Sequence, residues 1–89
     1  MNNGFIETLK KDKNYSKEEK DIIKCIMEAE REIETARMWF EVANEPELID
    51  YAIYSEQAAK SKYMYFLNKA KSKNIKINYN YILKGNNVV

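Results

Sequence analysis

Glu28, Glu30, Glu32 and Glu34 alternate along one stretch, so a helix would pair Glu28 with Glu32 and Glu30 with Glu34. Paired carboxylates are raw material for general acid/base work and for di-iron centres. Neither chemistry is completed here. The chain has no histidine, which removes the commonest general base, the commonest metal ligand and any Ser-His or Cys-His nucleophile pair. A di-iron bundle would need Glu-x-x-His on paired helices, and Arg31 and Arg37 lie among the acids as they do on a solvated face. Neither glycine, Gly4 or Gly85, sits in the strand–turn–helix context of a phosphate loop. The single cysteine, Cys25, reads as a small apolar filler rather than a reactive thiol, and it cannot form an intrachain disulfide. The residue types therefore imply no catalytic residue, no metal, no cofactor and no enzyme.

The elements that position these groups are legible from period and punctuation. Ser16-Lys17-Glu18-Glu19 fits a capping box and starts a helix at Lys17. Asn44-Glu45-Pro46-Glu47 breaks it, with Pro46 suited to the first turn of the next helix and Asn44 or Glu45 its cap, Asn44 being the chemically better one. Helices are thus expected over 17–43 and 46–73, antiparallel because the link is so short. Ile22, Ile26, Ala29, Ile33, Ala36, Phe40 and Ala43 form one apolar seam, and Ile49, Ala52, Glu56, Ala59, Tyr63, Phe66 and Ala70 the other. Folding back at Pro46 sets Ala43 on Ile49, Phe40 on Ala52, Ala36 on Glu56, Ile33 on Ala59, Ala29 on Tyr63, Ile26 on Phe66 and Ile22 on Ala70. Small residues face larger ones almost throughout, a coiled-coil-like pattern that lets two backbones approach closely. The fold class is all-α, a two-helix hairpin able to pair into a four-helix bundle.

Two groups do not fit a purely structural seam. Glu56 falls inside it opposite Ala36. Its carboxylate is expected to lean out to Arg37, or to act with Arg37 as a polar specifier of register or partner orientation. Tyr51, Tyr54 and Tyr65 lie off the seam of the second helix, and Trp39 borders the seam of the first. Ile23, Met27 and Met38 border its other side. Two helices cannot bury all of this between themselves, and a two-helix core is marginal. Trp39, Tyr51, Tyr54 and Tyr65 are therefore the candidate partner-binding residues, the partner being another protein or a second copy in a homo-oligomer.

The net charge of +1 hides a segregation. Residues 1–24 carry 6 basic and 5 acidic groups, residues 25–59 carry 2 and 9, and residues 60–89 carry 7 and none. The acids gather at the turn and the lysines at the open end, which follows the helix dipoles. An alternative function attaches to Lys60, Lys62, Lys69, Lys71, Lys73 and Lys76, with Tyr79 and Tyr81 as stacking groups: nucleic-acid or anionic-surface binding. Scarce arginine and the absence of a binding motif count against it. Residues 1–16 read as a basic, poorly ordered leader in which Asn2, Asn3 and Gly4 oppose a stable helix. In the tail, 74–89, Ile75, Ile77, Tyr79 and Tyr81 alternate with polar residues, as in an extended arm on the hairpin or on another subunit, or a mobile segment. No run is long and apolar enough for a membrane span, and the default compartment is the cytoplasm.

The stretch from Glu41 to Tyr54, with Ala58, Ala59, Tyr63, Tyr65, Phe66 and Leu67 beyond it, resembles the YaaL-like family of small bacterial proteins. The shared features are a Lys-rich leader, an Ala- and Glu-rich first helix, an acidic-Pro-acidic turn and an Ala/Tyr-rich second helix. The resemblance covers roughly residues 20–73. It implies a small cytosolic protein of Gram-positive-type bacteria and brings no catalytic residues.

Overall fold

The computed structural model describes residues 3–77, three helices in chain order: α1 (Asn3–Lys11), α2 (Lys17–Val42) and α3 (Pro46–Ser72). The leader is thus helical over Asn3–Lys11, contrary to the expectation from Asn2, Asn3 and Gly4. Tertiary packing overrides weak local propensity: Leu9 is buried against Ile23 and Met27, with Ile6 and Tyr15 alongside. The Lys20 ammonium also donates to the Lys10 carbonyl at 2.8 Å, satisfying an acceptor that the end of α1 leaves open.

α2 begins where the capping box places it. Glu19 N–H donates to Ser16 Oγ at 3.1 Å, and Ser16 N–H donates to Glu19 Oε1 at 2.9 Å. It ends with Ala43 N–H bonded to the Trp39 carbonyl. α3 starts on Pro46 with Glu45, not Asn44, at the cap position, and no side chain caps it. Because Pro46 occupies the first helical position and has no N–H to satisfy, the loss of the better cap costs this helix one orphan donor fewer than usual.

α2 and α3 run antiparallel, since partners rise along one helix as they fall along the other: Glu18 with Lys73, Glu32 with Lys62, Arg37 with Glu56. Ile22, Ile26, Ala29, Ile33 and Ala36 are buried on α2, and Ala52, Ala59 and Ala70 on α3. The expected seam is therefore present through Ala36. It frays at Phe40, which is 52% exposed although Ala52 on α3 is buried. α2 ends at Val42, so no further turn exists to close over the ring.

The open end of the hairpin carries a second layer. Asn74 takes a left-handed conformation (φ 58°), and the N–H groups of Asn74 and Ile75 return to the carbonyls of Lys71 and Ala70 at 3.0 Å each. This Schellman closure turns the chain back, so that Ile75 and Ile77 pack on Ile22, Ile26 and Ile23. Tyr15 Oη donates to the Lys76 carbonyl at 2.6 Å and ties the α1–α2 link to this segment. Residues 74–77 thus lie on the hairpin as an arm, whereas Tyr79 and Tyr81 fall outside the described residues.

Ile26 is fully buried where α2, α3 and the returning segment meet. Ile26→Ala should cost about 3 kcal/mol of unfolding free energy through lost burial and a residual cavity. A urea titration followed by helical circular dichroism checks this, and a loss under about 1 kcal/mol would mean that the seam is not close-packed.

Candidate functional site

One face of the hairpin collects the aromatic side chains that the seam leaves over. Three α3 residues, Tyr51, Tyr54 and Tyr65, are 56%, 70% and 58% exposed, and Trp39 approaches from α2. The Trp39 and Tyr51 rings meet edge to face, centroids 6.4 Å apart at 83°. Tyr65 sits edge-on to Phe66 at 4.9 Å, with the Lys69 ammonium 5.8 Å from its ring centre. Both arrangements are favoured by ring quadrupoles and hold large, rigid groups at the surface.

Between α2 and α3 on this face runs a groove of about 520 Å³. Its alanine lining, Ala36, Ala58 and Ala59, lets it form, Trp39 and Tyr51 border it toward the turn, and the Glu32–Lys62 pair (3.1 Å) crosses beside it. All four aromatic residues singled out from the sequence are exposed or partly exposed, but they are not one contact: Trp39 and Tyr51 form one pair, Tyr65 stands with Phe66, and Tyr54 is separate. Met38, Phe40, Val42 and Ile53 add exposed apolar surface near the turn.

Arg37 and Glu56 do meet. Arg37 Nε donates to Glu56 Oε2 at 2.9 Å, and Lys60 Nζ reaches the same oxygen at 3.2 Å. The Arg37 hydrogen bond, with Lys60 adding to it, holds the Glu56 carboxyl below the usual range, so it stays ionised in its half-buried place. Glu56 is therefore a satisfied seam member.

Glu30 departs from expectation in the opposite direction. The sequence places it on a solvated acidic row, yet it is only 5% exposed, and its Oε2 has no hydrogen-bond partner among the described residues. Burial, with the Glu34 charge adding to it, pushes its carboxyl up to about 7. Its charge in turn adds to the burial that raises Tyr63. The signal was available: Ile23, Met27 and Glu30 are spaced 4 and 3 apart, so the apolar border of the seam runs directly into Glu30. Cys25 is half-buried, and burial, then Glu28, raises its thiol, which keeps it protonated as a filler would be.

The lysine cluster is partly neutralised. Lys60 pairs with Glu56, Lys62 with Glu32, and Lys73 with Glu18 at 3.2 Å. Lys69 lies over Tyr65, and only Lys71 and Lys76 of the six are left facing outward without such a contact among the described residues. No group of three acidic, cysteine or histidine side chains could hold a metal ion among those residues. No helix there is long and apolar enough to cross a membrane.

These features define a small helical hairpin, braced at its open end and bearing an exposed aromatic face. The chain belongs to the family described as "Protein of unknown function (DUF2508)", whose model matches residues 5–77. No curated protein and no solved structure matches it.

Glu30 supplies a test of this environment. Its carboxyl titrates near 7 when folded and near 4.5 when unfolded, so between these values the native state binds more protons. Its stabilising share is complete below about pH 4.5 and is lost as pH rises through 7. The urea midpoint should fall between pH 5 and 7.5, with Glu30→Gln flattening that slope. An equal slope in the variant would assign the dependence to other groups.

Proposed function

We propose that this protein is a non-enzymatic protein–protein interaction module whose binding surface is the aromatic face: Trp39, Tyr51, Tyr54 and Tyr65. The observation that carries the reading is the exposure of three tyrosines and a tryptophan along one face, beside a groove between two helices. Aromatic residues of this kind contribute large contact area at low entropic cost, and they concentrate in the energetic centres of interfaces. The state of two other groups supports the reading: burial holds the cysteine protonated, and Glu56 is engaged by two cations. Glu56 and Arg37 act in this reading as the polar specifier that fixes how the two helices, and hence the face, are registered. A cytoplasmic location fits such a module, as does kinship with the YaaL-like bacterial proteins whose acidic-Pro-acidic turn it resembles.

Capture from a lysate of the cells that express the protein tests this reading. Tyr51→Ala/Tyr65→Ala should leave stability within about 1 kcal/mol, because both side chains are exposed, and should lose the polypeptides that the unaltered chain retains. Retention of the same polypeptides would discard the aromatic face.

Nucleic-acid binding by Lys60, Lys62, Lys69, Lys71, Lys73 and Lys76 is the second reading, and the segregation of seven basic and no acidic groups into residues 60–89 favours it. The ion pairs of Lys60, Lys62 and Lys73 weigh against it. If phosphates are contacted, affinity for a mixed-sequence duplex should fall by orders of magnitude between about 50 and 200 mM salt. Binding that is absent, or indifferent to salt, removes this reading.

A further inference from the structure

The exposed row of α3 is built symmetrically about Ala58. Ser55 and Ser61 lie three residues to either side, Tyr54 and Lys62 four, Tyr51 and Tyr65 seven, and Glu47 and Lys69 eleven. At about 100° per residue these offsets all fall within about 60° of the centre line, so they share one strip of the helix. Glu47, Tyr51, Tyr54, Ala58, Ser61 and Tyr65 are exposed on that strip, and Ser55, Lys62 and Lys69 are half-buried along it.

Any helix strip can be set against its own copy so that residue i meets j and j meets i. What suits this one is its chemistry, with small residues at the centre, tyrosines at seven and opposite charges at eleven. We infer that a second copy of this chain docks on this row, with the two α3 helices antiparallel and Ala58 on the two-fold axis. The inference rests on the reading of the aromatic face as an interaction surface, and it names the occupant. In this register Tyr51 faces the partner's Tyr65, Tyr54 faces the partner's Lys62, and Glu47 faces the partner's Lys69, each contact occurring twice.

Three observations favour a copy over an unrelated protein. Charge is the first. Residues 38–59 contain five acids and no base, whereas residues 60–77 contain six bases and no acid, so a hairpin turned end for end is complementary to itself. A parallel copy would set Glu47 on its own equivalent. Size is the second. Ser55, Ala58 and Ser61 at the centre admit close backbone approach, and the groove beside Ala58, ending at Trp39 and Tyr51, lies where the partner's Tyr65 arrives. Coverage is the third. Trp39, Tyr51 and Tyr54 are exposed toward the turn end of this row, where α1 and residues 74–77 do not reach, and a copy docked on the row covers them.

Sedimentation of the full chain over a wide concentration range should give twice the 10.6 kDa chain mass. Ala58→Arg, which puts like charges on the axis, should give monomers of unchanged helical signal. Glu47→Lys and Lys69→Glu should each weaken the dimer roughly tenfold, and the two combined should restore it. In a Cys25→Ser background, Ala58→Cys should form an interchain disulfide and Tyr54→Cys should not. A chain that is monomeric throughout overturns the inference, as does a dimer that survives Ala58→Arg and is not rescued by the charge exchange. The two readings then separate. A monomer that loses captured polypeptides in Tyr51→Ala/Tyr65→Ala refutes self-docking alone, and a monomer whose capture is unaffected refutes both.

Discussion

The close approach of α2 and α3 is the constraint on which the rest of the molecule depends. Every fully buried side chain of α3 is alanine: Ala52, Ala59 and Ala70. Small residues at this spacing bring the backbones together, so that the isoleucines of α2 fill the space. Tyr63, Phe66 and Leu67 still pack partly against Ile22, Ile26 and Ala70. Tyr51, Tyr54 and Tyr65 fall off that stripe by their spacing and stay exposed on the flank. The same proximity lets Arg37 reach Glu56 and Lys62 reach Glu32 across the helices.

Burial is distributed unevenly along this frame. The large buried aliphatic residues of α2 end at Ile33, and with Leu9 of α1 they occupy the open end. There α1 and the segment after α3 pack together over Ile23 and Met27, held by the Schellman turn at Asn74 and by Tyr15. Beyond Ala36 the two helices continue with little to cover them, and Met38, Trp39, Phe40 and Val42 are exposed. One end supplies stability and the other supplies surface. The family match runs from residue 5 to residue 77, so the unit it defines is the hairpin together with both bracing segments.

The two seam-adjacent carboxylates show how burial and partners decide a charge. Glu56 has two cations on one oxygen and stays ionised at little cost, whereas Glu30 has burial and a like charge, and its carboxyl is raised. What separates them is what each can reach: Arg37 and Lys60 contact Glu56, whereas the charge acting on Glu30 is that of Glu34.

Local signals were enough for the capping box at Ser16, the break at Pro46, the period of both long helices and hence an antiparallel hairpin, because each rests on chemistry within a few residues. The seam residues and the leftover aromatics could likewise be read from spacing, since a helix maps spacing directly onto faces. Asn2, Asn3 and Gly4 misled because the helix Asn3–Lys11 is stabilised by Ile23 and Met27, which lie far along the chain. Phe40 misled because periodicity does not report where a helix ends relative to its cover. Glu30 misled because a carboxylate in an acidic row looks solvated until the neighbouring elements are in place. Sequence by itself thus determined the hairpin and the residues available for a surface. Only tertiary packing decided which end is braced, which acid is buried and which aromatics remain exposed, because burial depends on contacts between segments that no local pattern encodes.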